Sequence, residues 1–227
     1  MKKNHKYTSK YHIEKEIDVI MDRLYIVKQN WLLFKELKSK ENIEAICSQF
    51  PHIFKIILNA LQEKALLELA KLVVDLNKVE TNSVTINDLY NHYQKNKKVF
   101  KVKKYFMVRD VDTGKRHRFY FDIRNVDASM KQLKDDLKAS EKIINYLKKR
   151  RNKSLAHNDK RMSFDSRIKY SKGKITGREL EEFIDKLIKD INEISSCVFG
   201  KHYAFCYTEI EELNYTRDIF KKEKDNL

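Results

Sequence analysis

The segment from Arg151 to His157, which reads Arg-Asn-Lys-Ser-Leu-Ala-His, carries the side chains best suited to chemistry. A histidine can accept and return a proton at neutral pH. An arginine can bind a phosphate through two parallel hydrogen bonds and stabilise the charge that develops on it. These two side chains are sufficient to cleave RNA without a metal, because the base acts on the ribose 2′-OH, which DNA lacks. Arg151 and His157 are therefore the candidate catalytic pair, with the polar Asn152 beside them.

Basic residues surround this segment and are candidates for binding the RNA backbone. They are Lys148, Lys149, Arg150, Lys153, Lys160 and Arg161. Another interpretation stays open, because Lys and Arg are common at the end of any helix, where they offset the negative end of its dipole. In that case residues 148–151 are capping charges and His157 is an ordinary loop residue.

The rest of the chain offers no second site of this kind. None of the other six histidines has a second histidine or a carboxylate at metal-ligand spacing. The three cysteines form no Cys-x-x-Cys pair, a pattern typical of reduced thiols. Motifs for phosphate-binding loops, α/β-hydrolases and zinc proteases are missing. We therefore expect neither a metal site nor a cofactor.

The charge balance points to an anionic partner. The 227 residues include 48 Lys and Arg against 33 Asp and Glu, a formal net charge of +15, which favours nucleic acid binding. A solvated, lysine-rich surface is the alternative, since the basic residues are spread along the whole chain. The N-terminus resembles no signal peptide, and the longest stretch without charge, 45–54, is too short to span a bilayer. We expect a cytoplasmic protein without a membrane partner.

Apolar residues at steps of three and four predict a mostly α protein, an antiparallel helical bundle formed by one domain over residues 1–227. Helices are predicted at about 12–38, 41–50, 52–78, from 85, from 127 to 151 and from 180 to 198, with a short one at 209–222. Thr85 with Asp88, and Thr176 with Glu179, are the predicted helix starts. Gly200 is the predicted helix end.

Residues 99–124 break the helical pattern. Two runs rich in Val, Phe and Tyr flank Asp112-Thr113-Gly114-Lys115, which predicts a β-hairpin inserted into the bundle. Its cations alternate with aromatic residues, a combination that suits single-stranded nucleic acid. Packing of those aromatics onto the bundle is the favoured alternative, because aromatic residues in strands usually pack.

The run Arg151-Asn152-Lys153-Ser154-Leu155-Ala156-His157-Asn158-Asp159 resembles the signature of the HEPN superfamily, an arginine and a polar residue followed by a histidine four to six residues later. Within that superfamily, the residues of this motif are most similar to those of the abortive-infection U-type branch. The run at 66–75 also resembles an earlier core helix of that branch. The resemblance covers about 12–200, apart from the hairpin.

The resemblance implies a metal-independent endoribonuclease that serves as a toxin or antiviral effector, with an antitoxin or another defence protein as a possible partner. It makes Arg151, Asn152 and His157 the site residues. A well-known toxin group of the superfamily has a modified tyrosine two residues after the histidine; Asp159 stands there instead, so that mode of silencing is not expected. A non-catalytic HEPN module that binds RNA or nucleotides, or scaffolds a defence complex, is the second hypothesis. A purely structural helical protein is the third.

HEPN proteins typically form dimers with the two motifs facing each other, and the spacing agrees with such an arrangement. On a continuous helix, six residues separate Arg151 and His157 by roughly 9 Å of rise and about 120° of rotation. One chain would not easily bring both onto one phosphate, so we expect a homodimer with a composite site.

Overall fold

The computed structural model describes residues 4–39, 50–74, 84–100, 105–109, 116–120, 123–155, 175–207 and 211–212. Within these ranges the chain is mostly helical, as predicted. The helices are α1 (Asn4–Leu37), α2 (Pro51–Val73), α3 (Ile86–Phe100), α4 (Ile123–Ala139), α5 (Glu141–Leu155) and α6 (Gly177–Phe199), and the strands are β1 (Tyr105–Arg109) and β2 (Arg116–Tyr120).

Helix α1 is the centre of the bundle and packs against α2, α3 and α6. Its predicted stripe is confirmed, because every member is buried: Ile13, Ile17, Ile20, Leu24, Val27, Trp31 and Phe34. The spacing of three and four residues places these side chains along one side of the helix, where they form one core with α2, α3 and α6.

Helix α2 differs from its prediction at both ends of its apolar stripe. It ends at Val73, five residues before the predicted 78, and the Val74 amide bonds to the Ala70 carbonyl. Ile57, one of the apolar residues whose spacing of three and four predicts this helix and its buried side, is exposed, and so are three other large apolar side chains at this end, Phe50, Ile53 and Ile56. The predicted helix at 41–50 lies outside the described residues except for Phe50, which precedes α2.

Local hydrogen bonds set the predicted helix starts and the predicted end. At α3 the Thr85 hydroxyl accepts from the Asp88 amide at 3.1 Å, and the Asp88 carboxylate accepts from the Thr85 amide at 3.0 Å. Thr176 and Glu179 make the same reciprocal pair at α6. Gly200 ends α6 with a φ of 68°, a left-handed conformation that favours glycine.

Strands β1 and β2 pair antiparallel in the register Tyr105 with Tyr120 through Arg109 with Arg116. The predicted bounds of the hairpin, 99–124, are too wide, because α3 continues through Phe100 and α4 already begins at Ile123. The turn predicted at 112–115 lies outside the described residues. That the strand pair is an insertion into a helical domain stays a prediction.

The helix predicted from 127 to 151 is wrong as a single element, because it is interrupted at Ser140. The Ser140 carbonyl accepts from both the Ile143 amide, at 2.9 Å, and the Ile144 amide, at 3.1 Å, which tightens the chain locally. The interruption gives the two halves different neighbours: α4 packs against α6, whereas α5 packs against α2.

After Gly200 the chain returns along α1. The Tyr203 amide donates to the Asn192 side chain at 2.8 Å, and the Tyr25 hydroxyl of α1 donates to the Cys206 carbonyl at 3.0 Å. The Tyr25 ring also stacks on Tyr207, with 5.6 Å between ring centroids. Of the helix predicted at 209–222, the structure describes only residues 211 and 212, which are helical. Across the described residues, no helix is both long and apolar enough to cross a membrane.

Candidate nucleic-acid interface

The second half of α5 carries the first part of the candidate motif. Leu147 is fully buried, and Arg151 follows it by one helical turn on the same side, which explains why Arg151 is half-buried. The Nε atom of Arg151 is itself buried. Asn152 is the next residue round the helix and is exposed. The helix therefore holds the Arg151 side chain partly against the core and leaves Asn152 in solvent.

Helix α5 does not end with its run of cations, as the sequence suggested, but continues one turn further to Leu155. Charges that only cap a helix are expected in its last turn. Lys148 and Lys149 lie two turns from the end, which weakens the capping interpretation for these two residues.

Three cations on this part of α5 have no acidic partner among the described residues: Lys148, Lys149 and Arg150. The first two are exposed, and Arg150 is half-buried. One Arg150 Nη atom donates to the Tyr146 hydroxyl at 3.4 Å, a long hydrogen bond between residues one turn apart. The end of α5 is thus a surface whose positive charge is not neutralised by any acidic side chain in the described part of the chain.

The other end of α5 is tied to the start of α6. The Lys142 ammonium lies 3.1 Å from the Glu179 carboxylate. Hydrogen bonds from the Thr176 backbone, from Lys142 and from the Thr176 hydroxyl lower the pKa of Glu179 to about 2. This carboxylate therefore stays ionised at physiological pH and continues to hold both the helix start and Lys142.

The structure brings Arg151 and Asn152 together with Lys148, Lys149 and Arg150 on one helix. Lys153 lies on the same helix, and its side chain is outside the described part of the chain. His157, Lys160 and Arg161 lie outside the described residues. Tyr146 is not part of the sequence motif, although the spacing of four residues between Tyr146 and Arg150 indicates that they are neighbours on one face.

No group of three or more His, Cys, Asp or Glu side chains able to hold a metal ion lies within the described ranges. The Glu16 carboxylate is buried and contacts the His92 ring, which joins α1 to α3. Burial raises the pKa of Glu16, whereas its hydrogen bond with His92 lowers it, and the first effect is larger. The pair therefore links two helices.

The family model HEPN_AbiU2, described as AbiU2, matches residues 10–218. The chain belongs to the AbiU2 family of HEPN domains. The match spans the strand pair as well as the helices, a wider range than the 12–200 of the resemblance. No curated protein and no solved structure matches the chain.

Membership places the chemistry within two classes, because HEPN domains are generally ribonucleases or nucleotide-binding modules. It also places the protein in the context of abortive-infection defence. In both classes the ligand carries phosphate, and the described part of this HEPN domain presents its unneutralised cations on α5 beside Arg151.

Proposed function

We propose that this HEPN domain is a metal-independent endoribonuclease that acts as a toxin or abortive-infection effector. The observation that carries the proposal is the second half of α5, where the half-buried Arg151 lies among Lys148, Lys149 and Arg150, none of these three with a described acidic partner. Unneutralised cations beside an arginine favour a polyphosphate backbone as the ligand. A cytoplasmic location and an antitoxin or defence partner belong to the same proposal.

The proposed reaction needs only two side chains. His157 takes the proton of the ribose 2′-OH, and the 2′ oxygen attacks the adjacent phosphorus. The bond from phosphorus to the 5′ oxygen of the next nucleotide then breaks, and His157 returns its proton to that oxygen as it leaves. Arg151 binds the phosphate oxygens and stabilises the negative charge that accumulates on them. Asn152 is proposed to hydrogen-bond the same group.

We further propose that two copies of the chain combine to form the site. Support comes from α2, which packs against α5; Ile53, Ile56 and Ile57 in its first two turns are exposed, as is Phe50, the residue before it. Ile56, the most open of them, is 67% exposed. Clustered exposed apolar side chains mark interaction surfaces, and a two-fold partner on this surface would bring a second copy of the motif close to the first.

The direct test is cleavage of RNA by the purified protein in the presence of EDTA. We expect cleavage by the wild type and losses of at least about 100-fold for Arg151→Ala and His157→Ala. Arg23→Ala, which removes a half-buried arginine from α1, and His202→Ala, which removes an exposed histidine, are the matched controls. Cleavage that survives both motif substitutions contradicts the site, and salt-sensitive RNA binding without any cleavage favours the non-catalytic module instead.

Complementation between the two inactive variants tests the composite site. If Arg151 of one chain works with His157 of its partner, an equal mixture contains half mixed dimers, each with one of two sites intact. The mixture should then regain about a quarter of the wild-type rate. A mixture that stays inactive after subunit exchange shows that both residues act from one chain. Ile53→Glu with Ile56→Glu should yield an inactive monomer, measured by light scattering.

A further inference from the structure

A cleft of about 610 Å³ opens where the end of α1, the middle of α2 and the beginnings of α5 and α6 meet. Its walls include Trp31 and Phe34 from α1, Gln62 from α2 and Tyr146 from α5. The volume falls in the range of pockets that bind small organic ligands. The apolar spacing of α1 predicts Trp31 and Phe34 only as core residues, and the structure places both at the wall of this cleft.

Three aromatic side chains line the cleft: Tyr146 is half-buried, whereas Trp31 and Phe34 are buried beneath the surface of the wall. The Trp31 and Phe34 ring centroids lie 5.3 Å apart at an interplanar angle of 33°, and Tyr146 faces them from a different helix. Trp31 is only 4% exposed, and its indole Nε1 is buried without a hydrogen-bond partner among the described residues. A buried donor of this kind is rarely left unsatisfied in proteins.

The charges at the mouth of the cleft favour an anionic ligand. The Lys38 ammonium lies 5.1 Å from the centre of the Phe34 ring and has no acidic partner among the described residues. The amino end of the 23-residue helix α6 adds its positive dipole. One carboxylate, Glu181, also lines the cleft, but the Lys35 ammonium holds it at 2.7 Å. Its negative charge is therefore largely offset.

The cleft adjoins the candidate catalytic helix. Tyr146 lies one turn before Arg150, to which it is hydrogen-bonded, and about 7.5 Å of helix rise before Arg151. A nucleotide whose phosphate is bound near Arg151 therefore has a neighbour within reach of the cleft. Aromatic faces for stacking, combined with cations for phosphate, are how single-stranded nucleic acids are bound.

We propose that this cleft is a nucleobase-binding subsite for the RNA strand, and that Tyr146 and Lys38 hold a base and its phosphate next to the cleavage position. The inference rests on the proposed ribonuclease function. It adds a binding site for the nucleotide next to the cleaved bond. Because stacking accepts any base, the subsite contributes affinity more than sequence preference.

The test uses Trp31 as its own reporter, because it is the only tryptophan in the chain. We expect its fluorescence to change saturably with ribonucleoside monophosphates and with a short RNA whose 2′ positions are methylated and so cannot be cleaved. The two ligands should compete. Tyr146→Ala should weaken binding about fivefold or more, whereas Tyr146→Phe, which keeps the ring, should bind like the wild type.

Lysine variants supply a matched control. Lys38→Gln should weaken binding roughly three- to tenfold. Lys15→Gln removes the same charge from a lysine that also lies over an exposed aromatic ring, Tyr11, at 4.6 Å, but far along α1 from the cleft, and should change nothing. Equal losses in both variants would overturn the assignment, because they would show only the effect of net charge.

The outcomes separate this inference from the function on which it rests. Cleavage that depends on Arg151 and His157, with a Trp31 signal that responds to neither ligand, overturns the subsite and leaves the ribonuclease standing. A saturable signal from both ligands without cleavage supports the subsite and rejects the enzyme. A signal from monophosphates that the methylated RNA cannot displace overturns the assignment to the RNA strand.

Discussion

Helices α5 and α6 begin side by side but use their charges in opposite ways. Helix α6 has six acidic and three basic residues, and each basic one has an acidic partner: Arg178 with Glu182, Lys186 with Asp136 and Lys189 with Glu193. Helix α5 has six basic residues and one acidic residue. Among the described residues, Lys142 has an acidic partner, whereas Lys148, Lys149 and Arg150 have none.

This difference indicates which cations behind the net charge of +15 stabilise the fold and which are available to bind a ligand. Paired charges on α6 satisfy one another and tie α6 to α1 and α4, so they serve the fold. Surface pairs of this kind contribute little stability each, which makes their removal mild. Like charges repel one another, so three neighbouring cations on α5 without an acidic partner among the described residues cost folding free energy unless a ligand neutralises them. We therefore propose a binding role for α5 and an architectural role for α6.

The largest expected effect sharpens the comparison within α5 itself. Arg151→Lys keeps the positive charge but loses the planar fork that binds two phosphate oxygens. We expect RNA binding to fall little and cleavage to fall about 100-fold or more. Lys148→Arg, the reverse exchange one turn earlier, is the control and should leave cleavage unchanged. If the two exchanges have the same small effect, Arg151 contributes only charge.

The next prediction concerns affinity. Lys148→Gln with Lys149→Gln should lower the affinity for uncleavable RNA by about 10- to 100-fold at low salt. The slope of log affinity against log salt concentration should fall by about 1.4, because each lost phosphate contact on a single strand contributes roughly 0.7. Fluorescence anisotropy over a salt series measures both quantities.

The control for this prediction removes the same amount of charge from paired positions. Lys71 lies 2.6 Å from Glu68, and Lys189 lies 3.9 Å from Glu193. Lys71→Gln with Lys189→Gln should leave the salt slope unchanged. A similar fall in slope for both double variants would break the distinction between the two helices.

A third prediction tests the architectural role of α6 through its buried acid. Burial, and then the neighbouring Asp136 carboxylate, raise the pKa of Asp190 to about 7. Burial would raise the pKa of Asp136 as well, but hydrogen bonds from Lys186 and Gln132 lower it below its ordinary value. An aspartate in the unfolded chain titrates near 4. Between about pH 4 and 7 the folded protein therefore holds a proton that the unfolded chain has lost.

Stability should consequently fall as the pH rises through this window, because the unfolded state binds fewer protons than the folded one. Asp190→Asn removes the group, should flatten the pH profile and should raise the free energy of unfolding at pH 8 by roughly 1–3 kcal/mol. Urea titrations from pH 4 to 8 measure this. Glu182→Gln, an exposed acid on the same helix, should keep the wild-type profile. An Asp190→Asn protein that is less stable at pH 8 contradicts the prediction.

Much of the fold could be predicted because it depends on local patterns. The buried stripe of α1 follows from spacing alone, and the starts at Thr85 and Thr176 and the end at Gly200 follow from residues that bond their own backbone. The interruption at Ser140 could not be predicted in this way, since an apolar pattern continues across it. The packing of α4 on α6 and of α5 on α2 decides that break.

The site was predictable only as far as the motif extends. Sequence spacing identified Arg151 and Asn152, and the resemblance gave them a role. Neither could show whether Lys148 and Lys149 have acidic partners among the described residues, because ion pairs such as Lys35 with Glu181 join residues 146 positions apart. The cleft was missed for the same reason: Trp31 and Tyr146 come from distant segments, and the apolar stripe of α1 had already assigned Trp31 to the core.

The smallest expected effect tests whether the start of α6 is structural. The Thr176 hydroxyl accepts a hydrogen bond from the Glu179 amide at 3.1 Å, and an N-cap of this kind stabilises a helix by about 1 kcal/mol. Thr176→Ala should lower the free energy of unfolding by that amount, seen as a shift in the urea midpoint without a change in slope. Thr176→Ser keeps the hydrogen-bond acceptor, and its free energy of unfolding should stay near that of the wild type.

Because Glu179 also forms an ion pair with Lys142, loss of the N-cap weakens the contact between α6 and α5 while the cations of α5 remain in place. If Thr176→Ala proves as stable as the wild type, the hydrogen bonds at this helix start do not position α5. That result would contradict an architectural role of α6 in supporting the binding surface of α5.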